Sequence, residues 1–361
     1  MNNQHEYMPD IVSPPGDTLL EMLEEQGMKQ VELAKRTGLA KRTINEIIKG
    51  KAPISPKTAL LFERTLGAPA SFWNNRERDY RENLARQAER NSLQGQLDWL
   101  NQFPIKAMVN YGWLPENEEP VEMFRTVLNF FGIASPVQWQ EIWREPNVAF
   151  RKSPAFESDP FAVSAWIRQG EIEAHQIYCR DYDEKRFLSA LQSIRALTAQ
   201  LPENFVEKVV RLCADAGVAA VFVKTLPKVR VSGATRWLSK DKALLQVSLR
   251  YKTDDQLWFS FFHEAGHILK HGKRDVFIDG NGEDSEKERE AHRFSADFLL
   301  PPAEYNHFEP RGSYYSKAEI AKFAEEIGVA PGVVVGRLQH DGKLPHKNCN
   351  DLKISLQWAN E

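Results

Sequence analysis

Apolar residues recur three and four apart along most of the chain, the spacing that lays one buried stripe on a helix, and only between Val218 and Leu249 does the period change. After a flexible lead, residues 1–15, ended by Pro14, Pro15 and Gly16, Asp17 caps a predicted helix DTLLEMLEEQG with Leu19, Leu20 and Leu23 as its stripe. Val31, Leu33 and Ala34 pack a second short helix, Thr37-Gly38-Leu39 makes a tight turn, and Ile44, Ile47 and Ile48 anchor a third. The other side of that third helix shows Lys41, Arg42, Thr43, Asn45 and Glu46.

Two helices around a glycine turn, the second with a polar outer face, form the layout of a helix-turn-helix, whose second helix enters the DNA major groove by its N-terminal end. The plain alternative is a helical hairpin with a charged face. Against it stands the order of parts: Gln30 opening the first helix, Ala34 at the helix contact and Gly38 in the turn. With the continuation PISPKTALLFERTLGAPASFWNNRERDYRE, this stretch resembles the XRE/Cro-like DNA-binding family in its HigA-type antitoxin branch, over about the first 80 residues. The resemblance implies five short helices in a domain of residues 16–75, Gln30 and Lys41 near phosphates, and Arg42, Thr43 and Asn45 at base edges. Glu46 fits less readily, though it can accept from a cytosine amino group. It further implies double-stranded operator DNA as a partner and a homodimer on an inverted repeat.

Residues 76–110 are charged with sparse apolar positions and read as a linker or dimer helix. A helical middle region, residues 111–200, follows, in which Trp139, Trp143 and Trp166 read as core and His175 as a surface or hydrogen-bonded histidine. From Val218, the runs VAAVFVKTL, VRVSGATRWL and KALLQVSL predict a small sheet, with residues 233–238 near an edge open to an extended substrate.

The stretch QLWFSFFHEAGHILKHG carries the chemistry. A helix advances about 100° per residue, so His263 and His267 stand one turn apart on one face and can share a cation. With Glu264 between them they form the HExxH pattern, in which two imidazoles hold Zn²⁺ and the glutamate takes a proton from water acidified by the metal. Leu257, Phe259, Phe261, Phe262, Ile268 and Leu269 give the helix enough apolar surface to be buried, and Ala265 and Gly266 leave room beside the ligands. Downstream, Glu288, Ala291, His292, Ser295, Phe298 and Leu299 form one stripe of a second helix. A carboxylate carried into a core needs a partner, and a cation on two neutral histidines supplies one. Glu290 is the rival if the helix is phased differently. His271, a turn past His267, sits about 6 Å further along the axis, awkward for one tetrahedral ion.

HEAGHILKHG followed by EKEREAHRFSADFLLPP resembles the ImmA/IrrE family of zinc metallopeptidases, and the match continues through residues 320–345, over about the last 150 residues. The resemblance implies a zincin-like α+β domain, residues 201–361, with Zn²⁺ on His263, His267 and Glu288 and Glu264 as general base. Where the family often carries asparagine, this chain has His292, which can orient a ligand, hydrogen-bond the reacting carbonyl or bind metal itself. The last two helices imitate a second helix-turn-helix, but Val333, Val334 and Val335 stand where basic residues would, so they are expected to pack against the zinc domain.

Composition narrows the setting. A net charge of -3 confines any nucleic-acid surface to a local patch. Cys179, Cys213 and Cys349 are widely separated, without metal or disulfide-framework spacing, which suits a reducing cytoplasm. No signal-like leader or membrane-length apolar run is read, so the expected setting is cytoplasmic, with no membrane partner. The fold class expected is mainly α with a small β-sheet: an N-terminal helix-turn-helix domain, a helical middle and the C-terminal zinc domain. The expected function is a transcriptional regulator or antitoxin whose peptidase cleaves a partner, such as a protein substrate or cognate toxin, or the chain itself. The competing expectation makes the zinc domain a non-catalytic sensor or partner-binding module.

Overall fold

Proline sets the first helix boundary. In the computed structural model, which describes residues 13–116, 119–144, 159–273, 276–278, 286–308 and 315–358, helix α1 spans Pro15–Glu25 with Pro15 at its first position. There the missing N–H leaves no bond unmade and φ is already helical. The predicted start at Asp17 is therefore late: Asp17 lies in the first turn and Pro14 at the cap. Of the lead, residues 1–12 lie outside the described residues. Gly16 lies within this helix, and a Cβ on it would come within 2.3 Å of the Ile47 carbonyl oxygen, so α1 crosses the helix Lys41–Ile48 at backbone contact.

The chain divides into two units, Met1–Leu97 and Asp98–Glu361. In the first, α2 (Gln30–Thr37) stops where the Thr37 hydroxyl donates back to the Leu33 carbonyl (2.7 Å) and Gly38 takes φ 74°. Helix α3 (Lys41–Ile48) buries Ile44 and Ile47. Ser55 caps α4 (Pro56–Leu66), and α5 spans Ala70–Gln94. Their core joins Leu19, Leu23, Leu33, Ile44, Ile47, Phe62 and Trp73; Val31, expected to pack there, is 45% exposed.

The fifth helix is not short. Its first turns bury Trp73 and Glu77, and Glu77 accepts from the Ile54 N–H (3.0 Å) and pairs with Arg81 (2.7 Å). Arg86 with Glu82 (2.6 Å) continues the series of i,i+4 pairs that supports an exposed helix. Through Gln94, the segment read as a separate linker or dimer helix is thus a continuation of α5.

Helix α6 (Leu97–Leu100) begins at the division, and the second unit continues with α7 (Ile105–Asn110), α8 (Pro120–Phe131) and α9 (Pro136–Trp139), the last running into a π-helical turn, Gln140–Arg144. Then come α10 (Pro160–Gln176), α11 (Glu184–Ala199) and α12 (Phe205–Ala214). Trp139, Trp143 and Trp166 are buried and His175 is exposed.

The sheet contains β1 (Val218–Phe222), β2 (Gly233–Ser239), β3 (Lys242–Val247) and β4 (Phe277–Ile278) in the order β1-β3-β2-β4. Strands β1 and β3 are parallel, and β2 is antiparallel to both β3 and β4. The edge expected at residues 233–238 is therefore covered where Ala234 and Thr235 pair with Ile278 and Phe277. Helix α10 is tied to the sheet by the buried Gln246, whose amide donates to the Trp166 carbonyl (2.8 Å), and by the Trp166 indole donating to Val223 (3.2 Å).

Helix α13 (Asp254–Lys270) runs through a core of this unit in which Trp258, Phe261, Phe262 and Ala265 join Phe187, Leu191, Leu245 and Val247. Around it follow α14 (Glu286–Leu299), α15 (Pro302–His307), α16 (Lys317–Ile327) and α17 (Pro331–His340). Val333, Val334 and Val335 of α17 are buried in the same core, the packing role their apolar character predicts. Among the described residues the chain is mainly helical with one small mixed sheet, as the hydrophobic pattern predicts.

Candidate metal centre

Both ends of the centre are built by helix crossing. A Cβ on Gly266 would stand 3.2 Å from the Cα of Ala291 and 3.0 Å from the Phe294 ring, so Gly266 is where α13 and α14 approach. The room expected beside the ligands is thus filled by the second helix. One turn away, the Ser295 hydroxyl donates to the Phe259 carbonyl (2.8 Å), and Ala291, Ser295 and Leu299 form the buried face of α14. This register carries Glu288 to the two histidines.

Nε2 of His263 lies 3.0 Å from Nε2 of His267. Glu288 faces both, with Oε2 3.0 Å from His263 and Oε1 3.4 Å from His267. Donors at about 2.0–2.1 Å from one tetrahedral zinc stand about 3.3 Å apart. The two imidazole nitrogens, and each of them with its nearest Glu288 oxygen, stand at separations close to that value, so this donor set fits the metal. Its protonation fits too. Burial of His267 pushes its pKa down to about 4, favouring the neutral imidazole. Burial alone would raise Glu288, but hydrogen bonds with His263 and His267 outweigh it and hold the carboxyl well below its ordinary range.

His292 completes a second grouping: donor atoms of His263, Glu288 and His292 all lie within 4.8 Å of one another. It is exposed, and its ring stacks on Phe259. Glu264 is fully buried and points at the start of β2, where a Cβ on Gly233 would come within 2.5 Å of its Oε1. Glu290 meets His271 instead of the centre (3.1 Å), which settles the phase of α14 in favour of Glu288. Sequence reasoning missed Phe277, whose ring stacks on His267 at 3.9 Å and 14°.

A cavity of about 290 Å³ opens beside His292, with Phe259, Ala296, Leu299 and Val333 along its walls and Arg293 and Arg337 among its polar lining. Behind it, the first turn of α13 is fixed to the C-terminal segment: the Asp254 N–H donates to the Ile354 carbonyl (3.0 Å) and its Oδ1 accepts from the Ile354 N–H (2.9 Å), while Asp255 pairs with Lys353 (2.7 Å). Burial pushes Asp254 up to about 6 against the pull of the Ile354 hydrogen bond, and the Asp255 charge adds to the rise.

In the first unit, Lys41 and Arg42 are exposed and Gln30, Thr43 and Asn45 partly so. Glu46, hard to place from sequence, pairs with Arg42 one turn back (2.8 Å), which raises the guanidinium pKa.

Residues 19–73 match the family described as Helix-turn-helix, and residues 232–339 match the one described as IrrE N-terminal-like domain. The chain therefore combines a helix-turn-helix of XRE type with a peptidase-like domain of the ImmA/IrrE kind. Among solved structures it is similar to an addiction module antidote protein of a HigA family from Coxiella burnetii, at 24% identity over 23% of this chain and 92% of that one, TM-score 0.22. It is also similar to a Pseudomonas aeruginosa protein solved in complex with its operator DNA, at 29% identity over 23% of this chain and 87% of that one, TM-score 0.21. No curated protein matches the chain. Among the described residues, no helix is long and apolar enough to cross a membrane.

Proposed function

We propose that the chain is a DNA-binding transcriptional regulator of the antitoxin kind whose C-terminal unit is a zinc-dependent metallopeptidase, cleaving a partner protein or the chain itself. The observation that carries the reading is the convergence of His263, His267 and Glu288 at 3.0–3.4 Å beside a buried Glu264. His263, His267 and Glu288 would hold the ion. Zinc bound there supplies Lewis acidity, which brings the pKa of water towards about 7. Glu264 takes the proton as the water oxygen bonds to the peptide carbonyl carbon, and returns it to the departing nitrogen as the C–N bond breaks. His292, on the rim, hydrogen-bonds the carbonyl oxygen. The apolar cavity beside it receives a substrate side chain.

In the other unit, α3 enters the major groove, with Arg42, Thr43 and Asn45 at base edges and Gln30 and Lys41 at phosphates. The regulator acts as a homodimer on an inverted repeat, in the cytoplasm with its DNA. Glu264→Gln tests the enzymatic half. Loss of cleavage with zinc retained is the expected result; unchanged cleavage and induction would remove proteolysis from the function and leave a zinc-binding sensor.

A further inference from the structure

Behind His267, on the Nδ1 side of its ring, stand two residues that the metal site does not use. Nδ1 of His267 lies 2.9 Å from Nδ1 of His271, and Nε2 of His271 lies 3.1 Å from Oε2 of Glu290. The His271 side chain is 3% exposed, while Glu290 is half in solvent.

The local fold makes this meeting possible. His271 follows the last residue of α13, and its N–H still donates to the His267 carbonyl (3.1 Å), which keeps it one turn from that residue. Its own backbone is extended (φ −116°, ψ 164°), so the chain leaves the helix there. Phe277 of β4 stacks on His267 and lies 5.1 Å from the His271 ring, which limits the tilt of both.

Proton bookkeeping then permits one arrangement. A ligand imidazole is neutral and offers a lone pair to the cation. The Nε2 of His267 faces His263 and Glu288, so the proton of His267 belongs on Nδ1. That N–H donates, so Nδ1 of His271 must accept. The His271 proton is then on Nε2, where it donates to the Glu290 carboxylate. Each atom in the series has the role its neighbour needs. His263 is held differently: its Nδ1 has no hydrogen-bond partner among the described residues, and its ring packs against His292 and Phe259.

We propose that His271 and Glu290 are positioning residues, a two-step hydrogen-bond relay that holds His267 in the tautomer and orientation zinc requires. The relay rests on the metal-centre reading. Outer partners of this kind strengthen metal affinity by about 10–100-fold.

The test uses the full chain and two readouts. Competition with a chromophoric chelator gives the zinc affinity of wild type, His271→Leu, His271→Gln, Glu290→Gln and His263→Ala. Long-range proton–nitrogen NMR on the histidine-labelled, zinc-free chain gives the tautomer of His267. Wild type should carry its proton on Nδ1. His271→Leu should weaken zinc about 10–100-fold, mix the tautomers and leave the zinc-free unfolding midpoint in place. His271→Gln, whose amide can accept from His267 and donate to Glu290, should recover most of the affinity; Glu290→Gln should fall between. Wild-type affinity in His271→Leu, or a proton on Nε2 of His267 in wild type, overturns the relay while zinc loss in His263→Ala still upholds the metal centre. A wild-type chain that binds no zinc overturns both.

Discussion

Nε2 of His263 and Nε2 of His267 lie 3.0 Å apart and face different oxygens of one carboxylate, Glu288. Three side chains from two helices are thereby aimed at one point, with both histidines almost fully buried and the Glu288 side chain 17% exposed. Donors that converge so closely without a cation must share protons, which costs orientation freedom and desolvation. A divalent ion satisfies all three at once.

The first expectation concerns that ion. Purified protein should carry about one zinc per chain by mass spectrometry, and His263→Ala and Glu288→Ala should each lose it. Glu286→Ala, an exposed position two residues away on the same helix, should keep it. Zinc retained at full occupancy in Glu288→Ala would shift the third ligand to His292, the other donor within 4.8 Å of His263.

Gly266 should matter as much as a ligand. Its missing Cβ admits Ala291 and Phe294, so Gly266→Val must push α14 away and carry Glu288 with it. Overpacking of this kind costs about 1–3 kcal/mol. Zinc affinity should fall by at least 10-fold together with the thermal midpoint; a variant that keeps wild-type affinity would show that Glu288 is not placed by this crossing.

For the DNA-binding unit, selection from a pool of random duplexes should return an inverted repeat with half-sites about 10 bp apart. Arg42→Ala combined with Asn45→Ala should abolish that selectivity, because a base contact contributes about 1–3 kcal/mol of discrimination. Glu46→Ala separates two roles for the acid that holds Arg42 at 2.8 Å. Removing its charge should strengthen binding to non-specific DNA, while the released Arg42 side chain selects less sharply. Unchanged selectivity in the double variant would move the reading surface off α3.

What could be read in advance follows from the range of the interactions. The His263–His267 spacing is local helix geometry, and Glu288 shows itself as a charge on an apolar stripe, so both are visible in the sequence. A strand as short as β4 has no period to detect, and with it Phe277 was hidden, as was the covering of β2 at Ala234 and Thr235. His271 could be seen as a candidate ligand but not as a neighbour of Glu290, because their meeting depends on where α13 ends. The full length of α5 is not legible in the sequence because its exposed part is held by ion pairs, with few apolar residues to mark it.

Asp254 supplies a pH signature independent of metal. Its carboxyl has the ordinary aspartate value of about 3.8 when unfolded, and burial chiefly pushes it up to about 6 in the folded chain. A raised folded pKa means that the neutral form favours the fold: its stabilisation is complete below pH 3.8 and is lost as pH rises through about 6. Above that, folding must ionise a buried group, at a cost on the order of 2–3 kcal/mol. Asp254→Asn keeps an oxygen for the Ile354 N–H and cannot ionise. Relative to wild type, its thermal midpoint should therefore be higher by several degrees more at pH 7.5 than at pH 4. Any fixed cost of seating an amide against Gly332 cancels between the two pH values. A difference between variant and wild type that is the same at both would mean that Asp254 ionises without penalty, and that the C-terminal segment around Ile354 and Lys353 stabilises its charged form.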